Sequence, residues 1–351
     1  MSRFIDRELE RELDIAFSRL FDAKTTAASQ ASSTQSAWEA VTAMDLPGIA
    51  IDEAAGGSGG ELPQLAALMR SAGRYAVPLP IAEHHLAGWL LGTAGAHLPK
   101  GISTVIPPMS AETLALTNGC LTGVAHQVPW APIADQIVAL VKGPRGSTEL
   151  VYLRPHEVQL SAGTDLAGQP QATLVSVDTA PRLIRSGHTA AQLKRRAALL
   201  RTLQIAGALE RIAADTLEYV QTRRQFGVPI GSFQSVQQHV VVLHQMAAMT
   251  NVCAERMVSA SITATGQFET DAAYVVASQN AATAVRAAHQ AHGAIGMTEE
   301  YPLHHFTRRL QLWRWDLQNP RDRAIDLAHT VSQTGRVRDC VTARCGAMEA
   351  N

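Results

Sequence analysis

Near the start of the chain, apolar residues recur three or four positions apart: Leu9, Leu13, Phe17 and Leu20, and again Leu62, Leu65, Leu68 and Met69. That spacing places them on one face of a helix, so residues 1 to about 100 are predicted to be helical. The stretch AAGGSGGE at 54–61 lies between the two periodic runs. It lacks the strand-then-helix setting of a phosphate-binding glycine motif and reads as a flexible loop, with a phosphate cradle as second choice. From about 101 to 185 the pattern changes. ISTVI, ETLALT, DQIVALV, ELVYL, VQLSA and ATLVSV are short and rich in β-branched residues, and Asn118-Gly119 and Gly143-Pro144 supply turns between them. No helical period intervenes, which predicts a small antiparallel sandwich or barrel.

From about 188 the helical period returns and persists. One helix carries Leu199, Leu203, Ala206 and Leu217 and runs to about Gln221. A second starts near Phe233 and carries Val236, Val240, Leu243, Ala247, Cys253 and Met257. A third spans roughly Thr270 to Ala291 and stops at Gly293, a residue suited to the left-handed cap. Pro302 and Asn319-Pro320 open a fourth and a fifth, since proline is tolerated in a first helical turn. Successive long amphipathic helices make an up-and-down bundle. The expected fold is therefore α+β and mainly α: an N-terminal helical domain (1–100), a small central antiparallel β domain (101–186) and a C-terminal four-helix-type bundle (187–351).

Composition narrows the function. The 351 residues are 46% hydrophobic and 17% charged with a formal net charge of −1, so no electrostatic case exists for nucleic acid or an anionic membrane surface. No apolar run has the length of a membrane span. The N-terminal MSRFIDRELERELDIAF reads as a helix bearing both charge signs rather than a signal peptide. Four cysteines stand apart at 120, 253, 340 and 345. That pattern fits a reducing cytoplasm, without a disulfide framework or a zinc site. Among the 13 histidines, His84-His85 and His304-His305 are adjacent pairs that point apart on a helix, so they read as solvated or edge residues and no metal is expected.

Two stretches carry candidate chemistry. In RRQFGVPIGSFQSVQQH (223–239), Arg223 and Arg224 close a helix, where cations complement the negative end of the dipole. A guanidinium there also matches a phosphate, Phe226 offers a stacking face, and Gln234 a neutral donor and acceptor. In AHQAHGAIGMTEEYPLHHFTRRL (288–310), Gln290 ends a helix, and Gly293 and Gly296 frame a turn into the next one. Small residues there let backbone approach a ligand. Each stretch alone is also an ordinary helix–helix connection.

Taken together, RxxFG with Gln234 eight residues after the phenylalanine, then QxHGxxG and EYPL, strongly resembles the acyl-CoA dehydrogenase family. The resemblance covers most of the chain, including VPWAPIADQIVAL in the β segment. It implies FAD as cofactor, with Arg223, Gln225, Phe226 and Gln234 at its pyrophosphate and adenosine and Gln290, Gly293 and Ala294 at the glycine loop. Ala294 stands where a second glycine is usual. In the family these residues serve an FAD seated mainly in a neighbouring subunit, which implies a dimer or tetramer. The implied reaction is α,β-desaturation of an acyl-CoA thioester: a carboxylate takes the α proton, the β hydride passes to the flavin, and an electron-transfer flavoprotein-like partner reoxidises it. Such a base needs a dry pocket and a tuned acidity, and the enolate needs donors at the thioester oxygen.

The sequence departs from that pattern at the base. An ungapped count places Leu317 at the usual glutamate, with Asp316 one residue earlier. Ala197 and Gln204 occupy two other positions where relatives carry Glu. Asp316 is the nearest acid and reads as a solvated helix-end residue. The phrase TEPxAGSD, which lines the flavin ring in the family, is replaced by PMSAETLALTNG, with Ser110 and Thr113 as candidate remnants. Trp130 is either a ring neighbour or core. The residues for a subunit's own site are thus degraded while those for a neighbour's FAD are intact. This suggests one half of a hetero-oligomer, similar to the heterotetrameric members that act on sterol or bile-acid side-chain thioesters. A structural subunit without flavin, and a flavin oxidase or monooxygenase on the same fold, are the alternatives.

Overall fold

The structure is a computed structural model that describes residues 5–21, 34–143, 147–262, 267–316 and 319–334. Helices α1 (Arg7–Phe21), α2 (Thr34–Thr42), α3 (Leu62–Arg74) and α4 (Ile81–Thr93) form the N-terminal part. Helix α1 buries Leu13, Phe17 and Phe21, in keeping with the sequence period. Residues 54–61, expected to be a flexible loop, are instead folded tightly. The Ala50 and Gly59 amides donate to the carbonyls of Gly59 and Ile51, and a Cβ on Gly57 would lie 2.2 Å from the Ile51 carbonyl oxygen. Glycine is required there by close packing of backbone on backbone.

Helix α4 corrects a second expectation. His84 and His85 are buried, because this helix is wrapped on nearly all sides and has no polar face to give them. The His84 Nδ1 accepts from the Ser103 amide at 3.1 Å, and burial lowers the His84 pKa to about 4.

Eight strands make two four-stranded sheets, ordered β1-β4-β5-β8 and β2-β3-β7-β6. Strand β1 is Ser103–Val105, β2 Leu114–Thr117, β3 Cys120–Pro129, β4 Gln136–Lys142, β5 Thr148–Leu153, β6 Gln159–Thr164, β7 Pro170–Thr179 and β8 Arg182–Arg185. The pairing is antiparallel except for β1 with β4, which run parallel. Strand β4 is buried on both faces. Ile137, Ala139 and Val141 point into the core between the sheets, and Val138 and Leu140 face the helices. Asn118 and Gly119, at φ 54° and 81°, close the β2–β3 hairpin in the left-handed conformation such two-residue turns require.

The C-terminal part is built on α5 (Ala190–Thr222), α6 (Gln234–Ile262), α7 (Gln267–His292), α8 (Leu303–Trp313) and α9 (Pro320–Thr334). Thr189 caps α5 with Gln192 in a reciprocal capping box. Helix α5 is central and crosses α3 at very close range. A Cβ on Gly207 would lie 1.9 Å from the Arg70 carbonyl oxygen, and one on Gly73 would lie 2.0 Å from that of Gln204. Beside this crossing the buried Arg70 donates to Glu10 and to Glu210, each at 3.0 Å, which ties α1, α3 and α5 together. Among the described residues, no helix is long and apolar enough to cross a membrane, and no group of three His, Cys, Asp or Glu is placed to hold a metal ion.

Candidate functional site

Helix α5 ends at Thr222, and Arg223 is its C-terminal cap. Its amide bonds back to the Tyr219 carbonyl at 2.8 Å, and its own carbonyl accepts from the Ile230 amide at 2.8 Å. Between these bonds the chain makes a two-residue hairpin, β9 (Arg224–Gln225) against β10 (Val228–Pro229). Phe226 and Gly227 form its tip at φ 52° and 83°. The strain at Phe226 is accepted where the ring is 92% exposed, with its edge toward Phe233 at 6.2 Å between centroids.

Across from the hairpin, Gly293 at φ 64° ends α7 and redirects the chain through Gly293–Met297. The two segments enclose a pocket of about 370 Å³ lined by Arg223, Gln225, Phe226, Gln290, Gly293 and Ala294, among others. Six of the seven residues expected at a nucleotide therefore share one cavity. The seventh, Gln234, is exposed on the first turn of α6 beside the lining residues Phe233 and Ser235. The Arg223 guanidinium is exposed and has no carboxylate partner among the described residues.

The wall behind this pocket is an aromatic cluster that sequence reasoning missed. His292 stacks on Tyr219 at 4.5 Å. Its Nδ1 lies 2.8 Å from the Ala288 carbonyl oxygen and so carries the proton, leaving Nε2 to accept from the Tyr301 hydroxyl at 3.0 Å. Burial lowers the His292 pKa and raises that of Tyr301 to about 12, so both are neutral near pH 7. The HG and EY pairs in the sequence hold these residues, but their sharing one wall is a tertiary fact.

A second cavity of about 490 Å³ opens between the β sheets and the bundle. Ser110, Thr113 and Trp130 line it from the β side, and Arg201, Gln204 and Asp316 from the helices. Trp130 is thus both a core residue, 3% exposed, and a cavity wall. Asp316 is not the free, solvated acid the sequence suggested. It accepts from Arg201 Nε at 2.6 Å, while Arg201 Nη2 donates to Glu83 at 2.5 Å and Nη1 to Gln204 at 2.7 Å. Burial alone would lower the Arg201 pKa, but Asp316 and Glu83 outweigh it and hold the group above its ordinary value. A carboxylate spent on a buried guanidinium is poorly placed to accept a substrate proton. Ala197 is buried and carries no acid, and Leu317 lies outside the described residues, as do Cys340 and Cys345.

Residues 191–315 match the model of the acyl-CoA dehydrogenase C-terminal domain. Acyl-CoA dehydrogenase IpdE2 of Mycobacterium tuberculosis (strain ATCC 25618 / H37Rv) is 29% identical over 78% of this chain and 79% of that protein. Among solved structures, a steroid acyl-CoA dehydrogenase variant, Tcur3481-Tcur3483, superposes with a TM-score of 0.83 at 20% identity, over 93% of this chain and 97% of that one. The ChsE4-ChsE5 complex from Mycobacterium tuberculosis does so at 0.80 and 18%, over 93% and 97%. PigA with FAD and proline does so at 0.81 and 18%, over 94% and 98%. The chain is thus similar to acyl-CoA dehydrogenases, in sequence over the C-terminal helices and in fold along nearly its whole length.

Proposed function

We propose that this chain is a subunit of an FAD-dependent acyl-CoA dehydrogenase. It completes the cofactor site of a paralogous partner in a heterotetramer that desaturates sterol-type acyl-CoA thioesters. The observation that carries this reading is the contrast between the two cavities. Around the hairpin, Arg223, Gln225, Phe226, Gln290, Gly293 and Ala294 converge on one pocket, and the Arg223 guanidinium has no carboxylate partner among the described residues. In the cleft under the sheets, Glu83 and Asp316 are both bonded to Arg201, and the third lining acid, Asp165, accepts from the Ala167 and Gln169 amides of its own turn.

The donor set at the hairpin fits the nucleotide end of FAD. The Arg223 fork matches phosphate oxygens, and the exposed Phe226 ring offers a face to a planar base. Gln290 adds a neutral amide. A Cβ on Gly293 would meet nothing within 4 Å, so main chain is open to a ligand on that side. Neutral His292 and Tyr301 keep the wall uncharged behind the anion. The bound flavin would supply the hydride acceptor that no side chain provides. The α-proton acceptor is assigned to the partner, and reoxidation to an electron-transfer flavoprotein-like protein. The heteromeric ChsE4-ChsE5 structure supports such an assembly.

The test is to purify the chain alone and co-expressed with a paralogue that carries an intact glutamate. A yellow, active complex and a colourless lone chain are expected. Full flavin occupancy and activity from the lone chain would refute the reading. A colourless complex would favour the structural subunit, and rapid reoxidation in air the oxidase.

A further inference from the structure

Helix α5 lines three spaces in succession. Ala191, Lys194 and Arg195 face a cavity of about 480 Å³ that Asn319, Asp322 and Arg323 of the α9 region close from the other side. Leu193, Ala197 and Leu200 then face a space of about 30 Å³. Arg201 and Gln204 face the 490 Å³ cleft under the sheets. From residue 191 to 204 the helix rises about 20 Å, long enough for an extended thioester to lie along it. The space in the middle decides whether one can. A water needs roughly 10–15 Å³ of such volume, so the neck takes about two waters and no acyl chain.

Apolar side chains such as Leu86, Val105, Leu193 and Leu200 line most of the neck, and its charged residues stand on the side of the cleft. Glu83, Arg201 and Asp316 line both the neck and the cleft, and they are bonded to one another across their boundary. Arg201 reaches Glu83 on α4 and Asp316 beyond α8, so three elements are tied at this point. Two carboxylates share one guanidinium, and Gln204 takes a third donor. The group is internally satisfied and offers an apolar chain nothing but desolvation of ions.

We propose that Arg201 is a specificity-determining bolt, which through Glu83 and Asp316 keeps the acyl chain of a thioester out of this chain's own cleft. The inference rests on the acyl-CoA reading above and adds to it the device that confines desaturation to the partner. Pairing here does double service: it removes the acid nearest the family's base position and shuts the way to it.

The test compares octanoyl-CoA with acetyl-CoA, titrated by calorimetry into the full-length chain. The two share every contact except those of the longer acyl chain. For the wild type their affinities are expected to agree within about twofold. The triple variant Glu83→Gln, Arg201→Ala, Asp316→Asn leaves no ion unpaired, and its preference for octanoyl-CoA is expected to rise at least about tenfold. Arg201→Lys keeps a cation without the planar fork and is expected to fall between them; it carries the test if the triple variant does not fold. A merely structural role would lower thermal stability in both variants and leave the acyl preference unmoved. A folded variant with the wild-type ratio, or a wild type that already prefers octanoyl-CoA tenfold, overturns the bolt. Failure of the cofactor reading shows elsewhere, in an FAD content indifferent to Arg223, and leaves this comparison intact.

Discussion

Two arginines, one within helix α5 and one capping its C-terminus, meet opposite surroundings. Arg201, in the middle of α5, is 8% exposed and spends its donors on Asp316, Glu83 and Gln204. Arg223, at the end of α5, is exposed and has no carboxylate partner among the described residues. Both are guanidiniums beside cavities of similar size, about 490 and 370 Å³. In the first cavity, Glu83 and Asp316 are bonded to the arginine. The second presents a cation, an exposed ring and a glycine-opened backbone with no internal use for them. Side chains bonded to one another offer little to a ligand, whereas those left without partners are the basis for proposing a cofactor half-site at the hairpin.

Removing Arg201 should have the largest effect. Arg201→Ala strands the buried Glu83 and the partly buried Asp316, and a loss of about 3–5 kcal/mol in urea-unfolding stability is expected. A loss below about 1 kcal/mol would mean that the triad is solvated and the contrast false. Acid should act next. His84 is neutral in the folded chain down to about pH 4 but titrates at 6.5 when unfolded. The unfolded chain therefore binds the extra proton, and stability falls as pH drops from about 6.5 to about 4, by up to roughly 3 kcal/mol. The buried His85 adds in the same direction. Chemical unfolding at pH 7 and 4.5 measures this, and His84→Gln, which keeps an acceptor for Ser103, should flatten the slope. Asp316→Asn should change turnover of the assembled complex by no more than about twofold; a loss of several orders of magnitude would make Asp316 the base. Phe226→Ala should have the smallest effect on the fold, within about 0.5 kcal/mol, because the ring is 92% exposed. Sedimentation of the co-expressed complex would show whether that ring serves assembly instead.

The helical periods of α1, α3 and the bundle were legible because each buries one face, and the cap residues Gly293, Pro302 and Pro320 fall at helix ends. The pattern CLTGVAHQVP of β3 was not, because two register shifts, at Leu121/Gly123 and Ala125/Val128, break its alternation. Strand β8 is short and mostly exposed, so RLIR carries little signal. His84 and His85 misled because a helix enclosed on all sides has no polar stripe to announce it. At the candidate site, local motifs picked out residues that the fold brings to one pocket. The Arg201–Asp316 bond joins residues 115 positions apart, and no local pattern foretells it. The acid was visible in the sequence, but its partner was not.

The most direct measurement is the flavin-to-protein ratio of the co-expressed complex with Arg223→Ala, set against the wild type by absorbance after gel filtration. The substitution is expected to weaken FAD retention at least about tenfold, with helicity by circular dichroism and complex mass unchanged. Undiminished FAD in the variant complex would leave Arg223 as a helix-end cation and contradict the half-site.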